Sequence, residues 1–396
     1  MLFHNSLIGQ GVSLLSLPVI ARIYPIQDVA LFGLVMILSS LFQSVGILKL
    51  DLKIWVSKGT EQKKAIASAF SFVAISSMFF SIATYTLLIR PFVNSDLLVF
   101  VIFLLLNLGA GFASVALAIC TYEQEFQLIA RSQLLRLSLS GFFQIGFGMI
   151  YPSFVILITG TLLAQLIALL FVYIRLPEDI NFANLRETRD YIKENWFFAK
   201  HATLESFFNS LLGVLPAILV SNNFGPIALG YYYVSERVLG IGNQIISENI
   251  RISLASKLSS EGNPRNHTKT LIIYTFAMMI FCSFTIVVYL FFGEKLISFG
   301  LGDKYAYLAT FFVYVLIGWM FRVVSLPVYV LLQFRQEQLF LTKWSIIKFI
   351  AVLLVMIPVA NYFSFSQSIL SLNIIYAALS TLFIFFSWNL ASKSSS

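Results

Sequence analysis

Arg237, Gly240, Gln244, Ser247, Glu248 and Arg251 follow one another at steps of three and four, the spacing of one face of an α-helix. Leu239, Ile241, Ile245, Ile246 and Ile250 mostly populate the other side. A helix divided in this way lines a pore or a water-filled cleft. The alternative is an amphipathic helix lying on a membrane surface. A second guanidinium, Arg322, sits between Trp319 and Pro327 with no carboxylate within a helical turn of its own segment. Guanidinium stays charged and donates in a planar fork, which suits phosphate and pyrophosphate. In hydrocarbon it costs about 2.5–3.5 kcal/mol at a helix centre, so Arg237 and Arg322 are expected to face a hydrated cavity. Arg22 lies just before a turn and fits either such a cavity or the headgroup level. Arg22, Arg237, Arg322, Gln244 and Arg251 form the candidate binding set for something anionic. Asp51, Glu205, Glu236 and Glu248 are candidates for coupling to H+ or Na+, or equally counter-ions for the arginines.

The elements that carry these residues are membrane spans. Of the 396 residues, 59% are hydrophobic and only 11% charged, with a mean hydropathy of +0.87. No soluble domain of this length has a surface so short of charge. A span needs about 20 mostly apolar residues. Twelve stretches meet that measure, near 6–24, 28–50, 66–90, 96–120, 134–151, 154–175, 203–222, 226–250, 269–292, 305–333, 342–360 and 366–390. The expected fold class is therefore an all-α polytopic membrane protein. Residues 6–23 read as a retained first helix, since no basic leader or small-residue cleavage site accompanies them.

Most of the 26 Lys and Arg fall beside alternate loops, including Lys49 to Lys64, Arg131 and Arg136, Arg175 to Lys200, Arg251 to Lys269 and Arg335 to Lys348. By the positive-inside rule both termini are expected in the cytoplasm. The net charge of +8 thus reflects orientation and not nucleic-acid binding. A polar stretch, 176–202, divides the spans six and six, giving lobes at 1–175 and 203–396 joined by a cytoplasmic linker. LPVIARIYPIQDVALFG at 17–33 resembles LPAILVSNNFGPIALG at 215–230, which suggests a parallel internal repeat. Such repeats place a binding site at the interface of two bundles. Pro18 and Pro216, each late in the first helix of its half, are hinge candidates. Asn5, Gln10 and Ser13, with Glu205, Asn209 and Gly213, suit either a cavity lining or helix packing.

Catalysis has little to work with here. His4, His201 and His267 are isolated, so no metal site is expected, and no cofactor either. Cys120 and Cys282 read as buried, inert thiols. No nucleotide-binding loop occurs. The outside loops are short, which counts against a polysaccharide polymerase or ligase. A drug or small-cation antiporter would favour acidic and aromatic cavity residues over arginines.

Three segments carry a family resemblance: LLSLPVIARIYPIQDVALFGL at 14–34, FGPIALGYYYVSERVLGI at 224–241, and the GDKY turn at 302–305 followed by SLPVYVLLQFRQEQ at 325–338. With these the chain resembles polysaccharide (O-antigen-type) flippases of the multidrug/oligosaccharidyl-lipid/polysaccharide exporter superfamily. The resemblance implies twelve helices in two six-helix lobes around a central cavity that opens alternately to either side. It implies as cargo a short oligosaccharide on undecaprenyl pyrophosphate, moved across the bacterial inner membrane, with membrane lipids and polysaccharide polymerase machinery as further contacts. Arg22 and Arg237 fall at matching positions. Asp51 lies near another, but between Lys49 and Lys53, where many relatives carry Glu in a mostly apolar run.

Overall fold

The computed structural model describes residues 2–93, 97–176, 182–260, 264–335 and 337–393, and among them every regular element is helical. Helix α1 (Leu2–Ile23) stops short of Pro25, whose ring disfavours helical geometry in the residue before it. Pro25 then opens α2 (Ile26–Val45). Leu48 and Lys49, both left-handed, turn the chain into the short α3 (Leu50–Val56). Next come α4 (Thr60–Thr84), α5 (Leu97–Tyr122), α6 (Phe126–Gly148) and α7 (Phe154–Tyr173), the last capped by Ser153. The amphipathic α8 (Leu185–Glu194) begins with a capping box between Asn184 and Glu187.

Helix α9 (Trp196–Ser260) is broken at Gly225, whose φ of 81° and ψ of 179° directly precede Pro226. It is followed by α10 (Pro264–Leu301), α11 (Ala306–Val324), α12 (Leu326–Phe334), α13 (Gln338–Tyr362) and α14 (Phe365–Lys393). With α9 taken as two limbs and α11 and α12 as one, the long segments correspond to the twelve stretches expected from hydropathy. Nine stretches of the described residues are long and apolar enough to cross a membrane, and one of them, Thr203–Asn243, contains the Gly225 break. Helix α1 contributes only the shorter Ile8–Ile23, and α6 carries Arg131 and Arg136. The surface tells the same story as the lengths. Only 11% of the most apolar 18-residue window within Lys269–Leu301 is buried, and Phe79, Leu87, Ile150, Phe291 and Phe299 are exposed. Water would not tolerate such a surface, whereas lipid requires it. The chain is a multi-pass membrane protein.

One boundary differs from the expectation. Helix α6 starts at Phe126, so Arg131 and Arg136, expected beside a loop, both lie within a helix. Polar residues of its first half hid that start from a hydropathy reading.

The chain forms two compact units, Met1–Val214 and Leu215–Ser396. In the first, α6 packs along α1 and α7, while α4 and α7 pack on α5. Tyr24, fully buried, donates to the Gln144 carbonyl at 2.6 Å and so ties the end of α1 to α6. Ile47, Leu50, Ile54, Phe70, Val115 and Tyr191 share a core that fastens α8 to this unit. In the second unit α11 packs on α10 and α14, and α13 on α14. Its core gathers Ile250 and Leu254 of α9 with Leu331, Trp344 and Phe383.

Candidate functional site

Three helices of the second unit converge on Arg322. The limb of α9 beyond Pro226 presents Tyr232 and Glu236 one turn apart, and beside them Tyr233 and Arg237 with the same spacing. Arg322 of α11 donates from Nη2 to Glu236 Oε1 at 3.3 Å. Its Cζ lies 5.2 Å from the ring centroid of Tyr376 on α14. The geometry depends on Gly318, one turn before Arg322. Asn373 of α14 packs directly on Gly318, where a Cβ would collide with its side-chain amide. That close approach brings Tyr376, one turn further along α14, against the guanidinium. Side chains of Arg322 and Glu236 are 35% and 27% exposed, so the pair is accessible and not sealed in.

Unused hydrogen-bonding capacity remains here, two donors and one acceptor. Arg322 Nε, Trp319 Nε1 and Asn243 Oδ1 are buried with no hydrogen-bond partner among the described residues. Gly242 of α9 faces Trp319 of α11 closely enough for a Cβ to be in van der Waals contact. Arg237 donates to the Tyr233 hydroxyl at 3.4 Å, with its Cζ 6.0 Å from that ring. From sequence, Glu236 is a candidate counter-ion for the arginines, and its neighbour Arg237 is one of them. In the structure Glu236 instead pairs with Arg322, 86 residues away.

The remaining candidates are distributed over both units. Gln244, Glu248 and Arg251 lie on α9, with side chains outside the described residues. Arg22 is exposed in the last turn of α1. Glu205 is buried on the first limb of α9. Asp51 sits in α3, beyond the end of the second span, with Oδ1 buried and unbonded. Burial pushes its carboxyl above the ordinary range, against the opposing pull of Lys49. Pro18 lies inside α1 and Pro216 inside α9, and the non-helical residue in α9 is Gly225.

Sequence reasoning missed a second cationic cluster, in the first unit. Arg136 lies about 15 Å along α6 from its start. With Gln43 of α2, Ser114 of α5, Ser132 and Gln133 of α6 and Gln165 of α7, it lines a cavity of about 80 Å³. Its Nη1 donates to Gln165 Oε1 at 3.4 Å, and Gln165 in turn donates to the Gly109 carbonyl at 3.4 Å. No carboxylate lies within ion-pair distance of Arg136 among the described residues. The available signal was the trio Ser132, Gln133 and Arg136, polar at helical spacing ahead of an apolar run.

A family model described as polysaccharide biosynthesis protein matches residues 19–310. No curated protein matches the sequence. Among solved structures, the chain is similar to an inward-facing multidrug resistance MATE family transporter of the MOP superfamily. The two share 13% identity over 99% of this chain and 95% of that one, with a TM-score of 0.67. It is also similar to the lipid II flippase MurJ in an inward closed conformation, at 12% identity over 98% of this chain and 87% of that one, with a TM-score of 0.75. A MOP superfamily transporter from Pyrococcus furiosus is similar at 12% identity over 99% and 94%, with a TM-score of 0.57. At such identities the likeness is one of fold.

Proposed function

This chain belongs to the polysaccharide biosynthesis protein family, and on that premise we propose that it is a flippase for oligosaccharide repeat units carried on undecaprenyl pyrophosphate. It works by alternating access in the bacterial inner membrane, with both termini cytoplasmic and an H+ or Na+ gradient as the driving force. Membrane lipids are its surroundings, and polysaccharide polymerase machinery takes over its product. The Arg322 cluster is the observation that carries the reading. A guanidinium within a span is held by a carboxylate and an aromatic face while a third of its side chain stays open. A pyrophosphate group cannot cross hydrocarbon unaided, and a guanidinium offsets its desolvation. The fold shared with a lipid II flippase supports a lipid-linked cargo.

A MATE-like antiporter of cationic drugs shares the same fold. Arginines inside spans disfavour a cationic cargo, so this is the weaker reading. The deciding experiment is a leaflet-accessibility assay with labelled lipid-linked oligosaccharide in vesicles containing only this protein. The label is expected to exchange between leaflets, and Arg237→Ala or Arg322→Ala is expected to stop it while the protein remains in the membrane. Unchanged exchange in both variants, or none with the unaltered chain, overturns the proposal.

A further inference from the structure

The cavity around Arg136 has no part in the Arg322 cluster and lies wholly within the first unit. Its lining residues come from the late part of α2 (Gln43), the late part of α5 (Ser114, Leu117), the first half of α6 (Ser132 to Arg136) and the late part of α7 (Gln165 to Val172). All four helices reach the cavity from the end of the unit that carries Lys49, Lys53, Lys58, Lys63, Lys64 and Arg175. The cavity is therefore nearer the basic end, the end the positive-inside rule assigns to the cytoplasm.

A lone guanidinium within a span is costly unless something anionic or wet compensates it. Arg322 shows one solution, a carboxylate from the next helix. Around Arg136 the polar neighbours are instead amides and hydroxyls, Gln43, Gln133, Gln165, Ser114 and Ser132, set among alanine, leucine and valine side chains. These neutral groups can donate to an anion, and they leave the positive charge in place. Gln165, anchored to the Gly109 carbonyl, orients the guanidinium without cancelling it. The space exceeds what one water needs and accommodates a small anion. We infer that this cavity is an anion site for a phosphoryl group, distinct from the Arg322 cluster.

The source of the phosphoryl group is suggested by the opposite wall. Ala116 and Leu169 line both this cavity and an apolar groove of about 400 Å³ formed with Phe70, Phe112, Leu166, Leu170, Tyr173 and Phe182. A polar cationic chamber beside an apolar groove, both near the basic end, suits a phosphoryl group carried on a lipid and met before transfer. The lipid-borne source rests on the flippase reading, whereas the anion site itself does not.

The test is calorimetric titration of the full chain in nanodiscs with inorganic pyrophosphate and, separately, with farnesyl pyrophosphate. Arg322→Gln is measured in parallel so that the two cationic clusters are read apart. Arg136→Gln is expected to weaken binding at least tenfold. Gln165→Glu keeps the guanidinium but sets a carboxylate against it, and is expected to weaken binding similarly. That second variant serves where Arg136→Gln fails to fold, as judged by its melting temperature. Tighter binding of farnesyl pyrophosphate than of the inorganic ion supports a lipid-borne group, and equal binding supports a free phosphoryl anion at the same site. Wild-type affinity in both variants, or no binding by the unaltered chain, overturns the inference. Arg136-dependent binding in a protein that moves no lipid-linked oligosaccharide would sink the flippase reading alone.

Discussion

Removing charge from either end of the Arg322–Glu236 pair is expected to destabilise the second unit by an amount that the geometry bounds. Breaking a fully buried pair costs about 3–5 kcal/mol, while an exposed one contributes about 0–1. Side chains that are 35% and 27% exposed lie between these limits, and solvent screening brings the coupling down to about 1–2 kcal/mol. Arg322→Gln also gives up the Tyr376 ring, worth about 0.5–1 kcal/mol. Glu236→Gln loses less, because an amide oxygen still accepts from Nη2. In a domain of 150–250 residues, about 1 kcal/mol moves the midpoint by roughly 2–4 °C. Each single variant is therefore expected to melt a few degrees lower in detergent. The double variant should melt higher than the sum of the two losses implies. Strict additivity across that cycle would refute a direct pair between these two side chains.

Glu236→Gln should also free Arg322 from its counter-charge, so pyrophosphate is expected to bind the purified variant about tenfold more tightly, and equal or weaker binding would count against an anion role for Arg322. Asp51→Asn tests linkage to pH. Burial raises the native carboxyl above its unfolded value, so the native state loses stability as pH rises through that interval. The amide should stabilise the protein at neutral pH, and the advantage should vanish below the ordinary carboxylate range in melting curves taken across pH. Gly225→Ala isolates backbone strain, because a Cβ there meets nothing within 4 Å while φ is 81°. A loss of about 1–3 kcal/mol is expected, read as a lowered melting midpoint, since that conformation is nearly restricted to glycine.

The spans were legible because apolar runs of bilayer length have few other uses in a protein of this composition. Helix α6 was the exception, since its first half carries Gln127, Arg131, Ser132, Gln133 and Arg136 and reads as loop by hydropathy. The helix carrying Glu236 and Arg237 was legible in the sequence, whereas the pairing of these charges was not. Glu236 is next to Arg237 in sequence, but adjacent helical residues point about 100° apart and do not face each other. The residue that does face Glu236 arrives on α11, and no local pattern announces it. Gly318 is a similar case. Its significance comes from Asn373, which packs on it from α14, and a lone glycine in an apolar run gives no hint of a close helix crossing.

Counter-ion and coupling group stood as competing roles for Glu236, and the structure pairs its carboxylate with Arg322. Under the proposed function, a guanidinium already paired with a carboxylate would bind an arriving pyrophosphate by exchange. Exchange of that kind leaves a ligand free to depart, whereas one held equally tightly throughout a cycle would never leave. No carboxylate stands beside Arg136 among the described residues. Its polar neighbours are uncharged amides and hydroxyls, so the anion proposed to bind there before transfer would be held by donor contacts and the one guanidinium, with no counter-ion to displace.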